Sequence, residues 1–292
     1  MIHALAQAGA DPVRAASNRI ARRAAALVAC LFLVATVSGC NKLKARDLLN
    51  KGVANFKAGQ YDKAIEDFKQ AKDLDTDLMN ARLYLATAYA TQYIPGAPSE
   101  QNLRLGQQAV AEFKEVLEKN ARNLSAIDGI GSIVFQMAGT PFDPKKFEES
   151  KIYHQKHIEV NPEDPEPHYW IGVIDWTLAF RQNAELRSAY NKDHINKQIK
   201  DDDALPAAVR ADYVSKSGAL VDEGIAEVQK AVQLRPDYDD AMAYLNLLYR
   251  RKADMVESND ERAGLKKQAD DLLETIKEIK QKRADQPPPQ SS

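Results

Sequence analysis

The sequence predicts an all-α fold built from about five helical hairpins arranged in series. A pattern of small and large apolar residues in residues 45–76 recurs along the chain to about residue 282. Near its end, apolar residues spaced i, i+3, i+4 indicate an amphipathic helix. The chain is 28% charged and 44% hydrophobic, which suits one or two soluble domains and excludes a polytopic membrane protein.

The first 39 residues have the composition of a secretory signal peptide. An uncharged stretch from residue 24 to 39 follows four arginines, and its apolar run of about 14 residues is shorter than the roughly 20 that a membrane-spanning helix needs. A basic segment, a short apolar segment and small residues at a cleavage site are typical of such signals. The length exceeds the usual range of about 15–30 residues, so either a long basic region or a misplaced start accounts for it.

This segment ends in Val37-Ser38-Gly39-Cys40, which resembles the lipobox of bacterial lipoproteins. The resemblance implies diacylglycerol on the Cys40 thiol and cleavage before this residue, leaving 40–44 as a lipid anchor and short tether. The alternative is a chance cysteine after an ordinary signal. Cys30 is the other cysteine, so the mature chain would have no possible disulfide, as suits export to an oxidising compartment.

The net charge of the mature chain indicates which partners to expect, and the residues that follow Cys40 indicate which membrane. Residues 1–39 carry a net charge of +3, and the whole chain carries −2, so the mature chain would carry −5. An acidic chain without a basic stripe is a poor ligand for nucleic acid. In lipoproteins, Asp beside the lipidated cysteine retains the protein at the inner membrane. Asn41 and Lys42 stand here, so we expect the outer membrane, facing the periplasm.

The first repeat carries small residues at Gly52, Gly59, Ala64 and Ala71, with Phe68 between the last two. This pattern resembles the tetratricopeptide repeat, a unit of about 34 residues whose two helices cross at small residues. The resemblance implies a right-handed α-solenoid of about five hairpins over residues 45–282, followed by a disordered tail at 283–292. Two departures from the repeat are Asn55 at the usual Tyr position and Thr76 at the closing Pro.

The distances between successive first helices locate the insertions. Gly52 to Ala86 is 34 residues, Ala86 to Gly131 is 45, Gly131 to Gly172 is 41, and Gly172 to Asn246 is 74. These distances exceed the 34-residue repeat by certain numbers of residues. The distance from the first to the second helix within each unit exceeds its usual value by the same numbers. Every insertion therefore falls within a unit, and the turns between units keep their length.

The predicted insertions cover about 91–103, 137–146 and 177–216. Turns within units lie along one edge of a helical-repeat array, so these segments predict a thickened rim that binds a partner; tolerated surface loops are the alternative. Pro206 is well placed to open a long helix in the third insertion, with Gly218 as a possible break. We expect this insertion to be a hairpin that projects past the rim.

In tetratricopeptide proteins the first helix of each unit lines a concave groove that takes extended peptides. Aromatic residues there provide large contact areas with a polar handle, although core packing and sugar stacking are alternatives. The carboxylate clamp of one well-known variant is absent, because Leu49, Val53 and Tyr84 occupy its positions. The candidate groove residues are Asn50, Phe56, Tyr84, Phe135, Tyr169, Trp170, Trp176, Tyr244 and Arg250.

No residue pattern in the chain indicates catalysis, a cofactor or a metal site. The motifs GxSxG, HExxH and the P-loop do not occur. His154, His157 and His168 lack a recognised ligand spacing, and the first two occupy packing positions of the repeat. The sequence thus predicts a non-catalytic, membrane-tethered scaffold for envelope proteins or peptides.

The overall plan is similar to lipoproteins that assist outer-membrane or pilus assembly. The alternative function is binding of cell-wall glycan, or another small ligand, through the aromatic groove.

Overall fold

The computed structural model describes residues 40–285. The predicted signal peptide, and with it Val37-Ser38-Gly39, lies outside the described residues, as does the end of the chain from 286. Ten α-helices and one 3₁₀ turn make up the described residues. The helices are α1 (40–57), α2 (Tyr61–Leu74), α3 (Met79–Gln92), α4 (Glu100–Lys119), α5 (Leu124–Ala138), α6 (Pro144–Val160), α7 (Pro165–Asp193), α8 (Ala207–Leu234), α9 (Asp239–Ala253) and α10 (Asn259–Ala284).

The helices follow one another as five consecutive pairs, α1–α2 to α9–α10. The predicted fold class, an all-α tetratricopeptide solenoid with insertions in the turns within pairs, is confirmed. Residues 40–44, predicted as a tether, are helical and exposed. Helix α10 extends to Ala284, so it includes the first residues of the predicted tail.

The chain forms two compact units, one ending at Ala88 and the other starting at Tyr89. In the first unit, Leu48, Ala71 and Ala81 form a buried cluster. A Cβ placed on Gly52 would lie 2.5 Å from a ring carbon of Phe68. The two helices of the first pair therefore cross at a distance that only glycine permits, as the repeat pattern predicts.

The second unit uses the same crossing principle. A Cβ on Gly172 would overlap a methyl group of Val228, and one on Gly129 would overlap the ring of Phe113. A buried cluster along α8 and α9 joins the last two helix pairs. It consists of Val228, Ala231, Tyr238, Ala241, Leu245 and Leu248.

The insertions of the second unit lie beside one another. The first forms the loop 93–99, which Asn102 closes by donating to the Ile94 and Ala97 carbonyl oxygens over 2.8 and 3.0 Å. A Cβ on Gly96 would lie 3.8 Å from Thr140 in the second insertion. These two loops, 93–99 and 139–143, lie within the first two insertions of the predicted rim.

The third insertion lengthens both helices of the fourth pair. Helix α7 has 29 residues and α8 has 28, with Pro206 as the N-cap of α8. The Tyr213 hydroxyl donates to the Ala179 carbonyl oxygen over 3.2 Å and ties the two helices together. A long helix opening at Pro206 is thus observed, and Gly218 lies inside it without breaking it.

The expectation that this hairpin projects past the rim is wrong for the part that contains Ala179, Asn183 and Arg187. The Arg187 guanidinium lies 3.0 Å from Asp254 Oδ1, and Asn183 donates to the other oxygen over 3.3 Å. Met255 completes an apolar cluster with Ala179 and Tyr213. The hairpin therefore packs against the turn between α9 and α10, while Ile195 at its tip is 77% exposed.

Candidate functional site: an aromatic track and an acidic pocket

Aromatic side chains from the first helices of the third, fourth and fifth pairs form one continuous series in the second unit. We call this series the aromatic track. Successive ring centroids are 5.0–5.6 Å apart. In order of contact, the track consists of Phe135, Trp170, Tyr169, Tyr244, Trp176 and Phe180.

Helix α7 supplies four members of the track. Tyr169 and Trp176 are seven residues apart and so occupy one helix face. Phe135 reaches the track from α5, and Tyr244 reaches it from α9. Most members are half-buried, whereas Phe180 is 47% exposed. The track therefore packs on the core along one side and leaves aromatic surface along the other.

The phenols of the track remain neutral at physiological pH. Burial raises the pKa of Tyr169, and the neighbouring Tyr244 and Asp240 raise it further. Burial also raises the pKa of Tyr244. Neutral phenol groups combine an apolar ring with a hydrogen-bonding tip, which is the combination that favours Tyr at interfaces.

A pocket of about 220 Å³ opens beside Trp170, between α5, α6 and the start of α7. We call it the acidic pocket because three carboxylates line it. Its lining consists of Asp128, Ser132, His154, His157, Asp164, Glu166, Pro167 and Trp170.

Two histidines of α6 contribute to the wall of the pocket. The Nδ1 atom of His157 is 2.6 Å from Asp128 Oδ1. Its Nε2 atom lies 3.3 Å from Asp164 Oδ2, off the line of a hydrogen bond. The ring of His154 stacks on Trp170 with centroids 5.9 Å apart. Burial, together with the neighbouring His157, lowers the pKa of His154 to about 4, so this ring is neutral.

The carboxylates of the pocket differ in how they are held. Asp164 caps α7 by accepting a hydrogen bond from the Glu166 amide over 2.9 Å. Glu166 in turn accepts from Arg235 over 2.9 Å and from the Tyr238 hydroxyl over 2.7 Å. Burial raises the pKa of Asp128, partly offset by its hydrogen bond with His157. The pocket is therefore preorganised by side chains from α5, α6, α7 and the turn after α8.

The structure joins five of the nine candidate groove residues in the track: Phe135, Tyr169, Trp170, Trp176 and Tyr244. Arg250 lies apart from them, because its guanidinium pairs with Asp270 of α10 at 2.6 Å. Asn50, Phe56 and Tyr84 belong to the first unit. There, Asn50 is exposed, Phe56 contacts Tyr61, and Tyr84 stacks on Phe68.

Sequence reasoning missed Phe180 and the acidic pocket. Phe180 follows Trp176 by four residues, a helical spacing that would have identified it if α7 had been extended into the insertion. His154 and His157 are buried, as their packing positions predicted. His168 is also buried, and its ring lies 2.5 Å from Glu227. Within residues 40–285, no group of three or more His, Cys, Asp or Glu side chains is arranged to hold a metal ion.

Cys40 is exposed and carries a free thiol. Among the helices of residues 40–285, none combines the length and apolar character needed to cross a bilayer. Lipidation of Cys40 therefore stays a prediction of the sequence.

Comparisons with known proteins identify the fold. Residues 45–77 match the family model "Tetratricopeptide repeat". The solved structure "MamA 41-end from Desulfovibrio magneticus RS-1" is 16% identical, with a TM-score of 0.53 over 82% of this chain and 96% of that one. The "MamA RS-1 ArsTM double mutant" is 16% identical, with a TM-score of 0.54 over 83% and 98%. No curated protein sequence matches the chain significantly. The tetratricopeptide resemblance is thus confirmed.

Proposed function

We propose that this protein is a non-catalytic tetratricopeptide scaffold of the bacterial cell envelope that binds an extended polypeptide along the aromatic track. In this proposal, lipid on Cys40 anchors the protein to the outer membrane, facing the periplasm. Its partners are envelope proteins, such as those that assemble outer-membrane or secretion complexes. The observation that carries the proposal is the unbroken contact series from Phe135 to Phe180.

The chemistry of the track suits a peptide better than a small metabolite. Half-buried Trp and Tyr side chains lose little conformational entropy on binding and provide most of the energy at many protein interfaces. The rings are spread over three helices, so they match a ligand several residues long. The adjoining acidic pocket provides polar contacts at one end.

Peptide display on the full-length protein tests this function. We expect enriched peptides to bind at least roughly thirtyfold more weakly to the double variant Trp176→Ala/Tyr244→Ala, because interface hot spots contribute about 2 kcal/mol or more. Ile152→Ala is the matched control, since Ile152 is exposed on α6 and outside the track. Equal affinities for the wild type and the double variant would reject the track as the binding surface.

The same proteins separate the peptide function from glycan binding. Stacking of Trp176 on Phe180 presents an exposed aromatic surface, and sugars also bind such surfaces. Retention of wild-type protein on cell-wall glycan, with loss in the double variant and no enriched peptides, would replace the peptide proposal by the glycan one.

Radioactive palmitate labelling in cells tests the anchor. We expect label on the wild type and none on Cys40→Ala. Unlabelled wild type, or label retained by the variant, would reject lipidation at Cys40.

A further inference from the structure

We propose that the acidic pocket is a site for one basic side chain, an Arg or Lys, of the bound polypeptide. This inference rests on the proposed peptide function and adds to it a specificity: the ligand carries a cation next to its contact with the track. Three features of the pocket point to a cation: the carboxylates of its lining, the unpartnered ring nitrogen atoms in its wall and the position of Trp170.

Carboxylates outnumber the other charged groups of the lining, in which His157 lies between Asp128 and Asp164. Asp128, Asp164 and Glu166 all face the pocket, and no Lys or Arg is among the residues that form its walls. Arg235 contacts Glu166 from outside the lining. The side chain of Asp128 is 48% exposed, and it uses Oδ1 for His157. This carboxylate is therefore accessible to an incoming ammonium or guanidinium group.

Two ring nitrogens in the wall are buried without a hydrogen-bond partner, the Nε2 atoms of His154 and His157. Both histidines are 5% exposed, and such unsatisfied groups are uncommon in folded proteins. A guanidinium carries five N–H donors in a planar fork. A donor of this kind would satisfy the Nε2 atom of the neutral His154 ring in its acceptor tautomer, whereas Nε2 of His157 faces Asp164 Oδ2 at 3.3 Å.

Trp170 links the pocket to the track. Its indole lines the pocket and also contacts Phe135 and Tyr169 edge to face. An indole within about 6 Å of a cation attracts it through the ring quadrupole. A bound polypeptide could thus place a basic side chain in the pocket while its next residue contacts the aromatic track.

The pocket chemistry favours a cation over a metal ion or a neutral sugar. Residues 40–285 contain no arrangement of ligands suited to a metal. A neutral sugar needs donors and acceptors in similar number, whereas three carboxylates make this lining mainly an acceptor. With a volume of about 220 Å³, the pocket is below the roughly 300–1,000 Å³ typical of small-molecule sites and suits one side chain.

Binding of matched pentapeptides to the full-length protein tests the inference. The probes are acetyl-Gly-Arg-Gly-Tyr-Gly-amide and the same peptide with citrulline, which keeps the shape of Arg without its charge. We expect the Arg peptide to bind roughly ten- to a hundredfold more tightly in calorimetric titrations, because charge-assisted hydrogen bonds are the strong ones. The Lys peptide should also bind more tightly than the citrulline peptide.

A nearly isosteric variant assigns the effect to the pocket. Asp128→Asn keeps an acceptor for His157 and should weaken binding of the Arg peptide about tenfold, with the citrulline peptide unchanged. Glu159→Gln is the matched control, because Glu159 is exposed on α6 and outside the lining. Near-ultraviolet circular dichroism verifies that each variant keeps the wild-type fold.

Several outcomes would overturn the inference. Equal affinity for the Arg and citrulline peptides, no binding of either, or no effect of Asp128→Asn would each reject a cation site. Displacement of the Arg peptide by the neutral sugar chitobiose, with equal loss in Asp128→Asn, would reassign the pocket to sugars. If the Arg and citrulline peptides bind equally and Trp176→Ala/Tyr244→Ala abolishes binding of both, the proposed peptide function stands while this inference falls.

Discussion

The first and fourth helix pairs share one repeat pattern but bury charge in different ways. Both depart from the repeat at the position usually held by Tyr, where the first pair has Asn55 and the fourth has Asp175. In the first pair, Asn55 donates to Asp67 over 2.7 Å, and Lys51 lies 3.0 Å from the same carboxylate. The Lys51 side chain is 65% exposed, so water screens this cluster.

The cluster around Asp175 of the fourth pair is enclosed, and its cation comes from α6 of the third pair. Asp175 is fully buried, and Lys151, whose side chain is 6% exposed, lies 2.7 Å from it and 2.9 Å from Glu223. Burial raises the pKa of Asp175 to about 7 even though Lys151 opposes this shift. We therefore expect the exposure of the cation, rather than the spacing in sequence, to decide how strongly each polar cluster affects the free energy of unfolding.

The largest expected effect is in the enclosed cluster. Lys151→Met leaves Asp175 buried without its cation, which should lower the free energy of unfolding by about 3–5 kcal/mol. Urea unfolding followed by tryptophan fluorescence measures it, because both tryptophans lie in the second unit.

The double variant Lys151→Met/Asp175→Leu is the control for this effect. It removes both charges and should recover most of the loss, since an apolar replacement of a buried ion pair is often neutral or stabilising. A loss below about 1 kcal/mol in the single variant, the size typical of exposed pairs, would contradict the enclosed character of the cluster.

The second prediction concerns pH. Because burial raises the pKa of Asp175 to about 7, compared with about 3.9 in the unfolded chain, the folded state binds an extra proton between these values. This group therefore increases the free energy of unfolding as pH falls from about 7 to about 4. Lys151 stays charged in this window: burial opposes its charge, but Asp175 and Glu223 raise its pKa above the ordinary value.

Asp175→Asn should remove this contribution, which is on the order of a few kcal/mol. Urea unfolding at pH 5 and pH 7.5 compares the variant with wild type. Asp212→Asn, at an exposed carboxylate of α8, should keep the wild-type dependence. The same change between the two pH values in Asp175→Asn and wild type would show that Asp175 is not the responsible group.

The third prediction concerns the close helix crossing at a glycine, which the first and the fourth pair both contain. A methyl group at Gly172 would overlap Val228 and lie 3.3 Å from the Gly224 carbonyl oxygen, so Gly172→Ala should destabilise the second unit by about 1–3 kcal/mol. Gly218→Ala is the matched control on α8, where the nearest atom is 3.7 Å away. That change should stabilise the helix by about 0.5–1 kcal/mol. Equal effects of the two changes would contradict a tight crossing.

Much of the fold was predictable because the repeat encodes its own contacts. Gly52 and Phe68 meet at the crossing, and the three insertions fall within pairs, as their spacing indicated. A local pattern specifies such local contacts. The same pattern selected Tyr169, Trp176 and Tyr244 for one surface, because the first helix of each pair presents the same face.

The remaining features depend on contacts between segments far apart in the sequence. Arg187 meets Asp254 across 67 residues, and His168 meets Glu227 across 59. No periodicity within a helix specifies such pairs. The pairing of Arg250 with Asp270 of α10 is of the same kind, since no pattern within α9 specifies it. The acidic pocket draws on α5, α6 and α7 together, so it became visible only once these helices were placed.

The smallest effect is expected in the first helix pair. Lys51→Met should lower the local stability of α1 and α2 by less than about 1 kcal/mol, because an exposed cation is already solvated and its pairing is screened. Asp67 also keeps its hydrogen bond from Asn55, so its buried carboxylate is not left unpaired. Hydrogen exchange of peptides from residues 40–75, followed by mass spectrometry, measures this region, which lacks tryptophan.

Asn55→Leu sharpens this last test. It removes the half-buried donor to Asp67 and leaves only the exposed cation, so it should cost more than Lys51→Met, by about 1–3 kcal/mol for an unsatisfied buried acceptor. If Lys51→Met accelerated exchange as much as Asn55→Leu, the exposed lysine would be coupled to Asp67 as strongly as the half-buried amide of Asn55. The distinction between the screened and the enclosed cluster would then fail, because exposure of the cation would no longer set the strength of the pair.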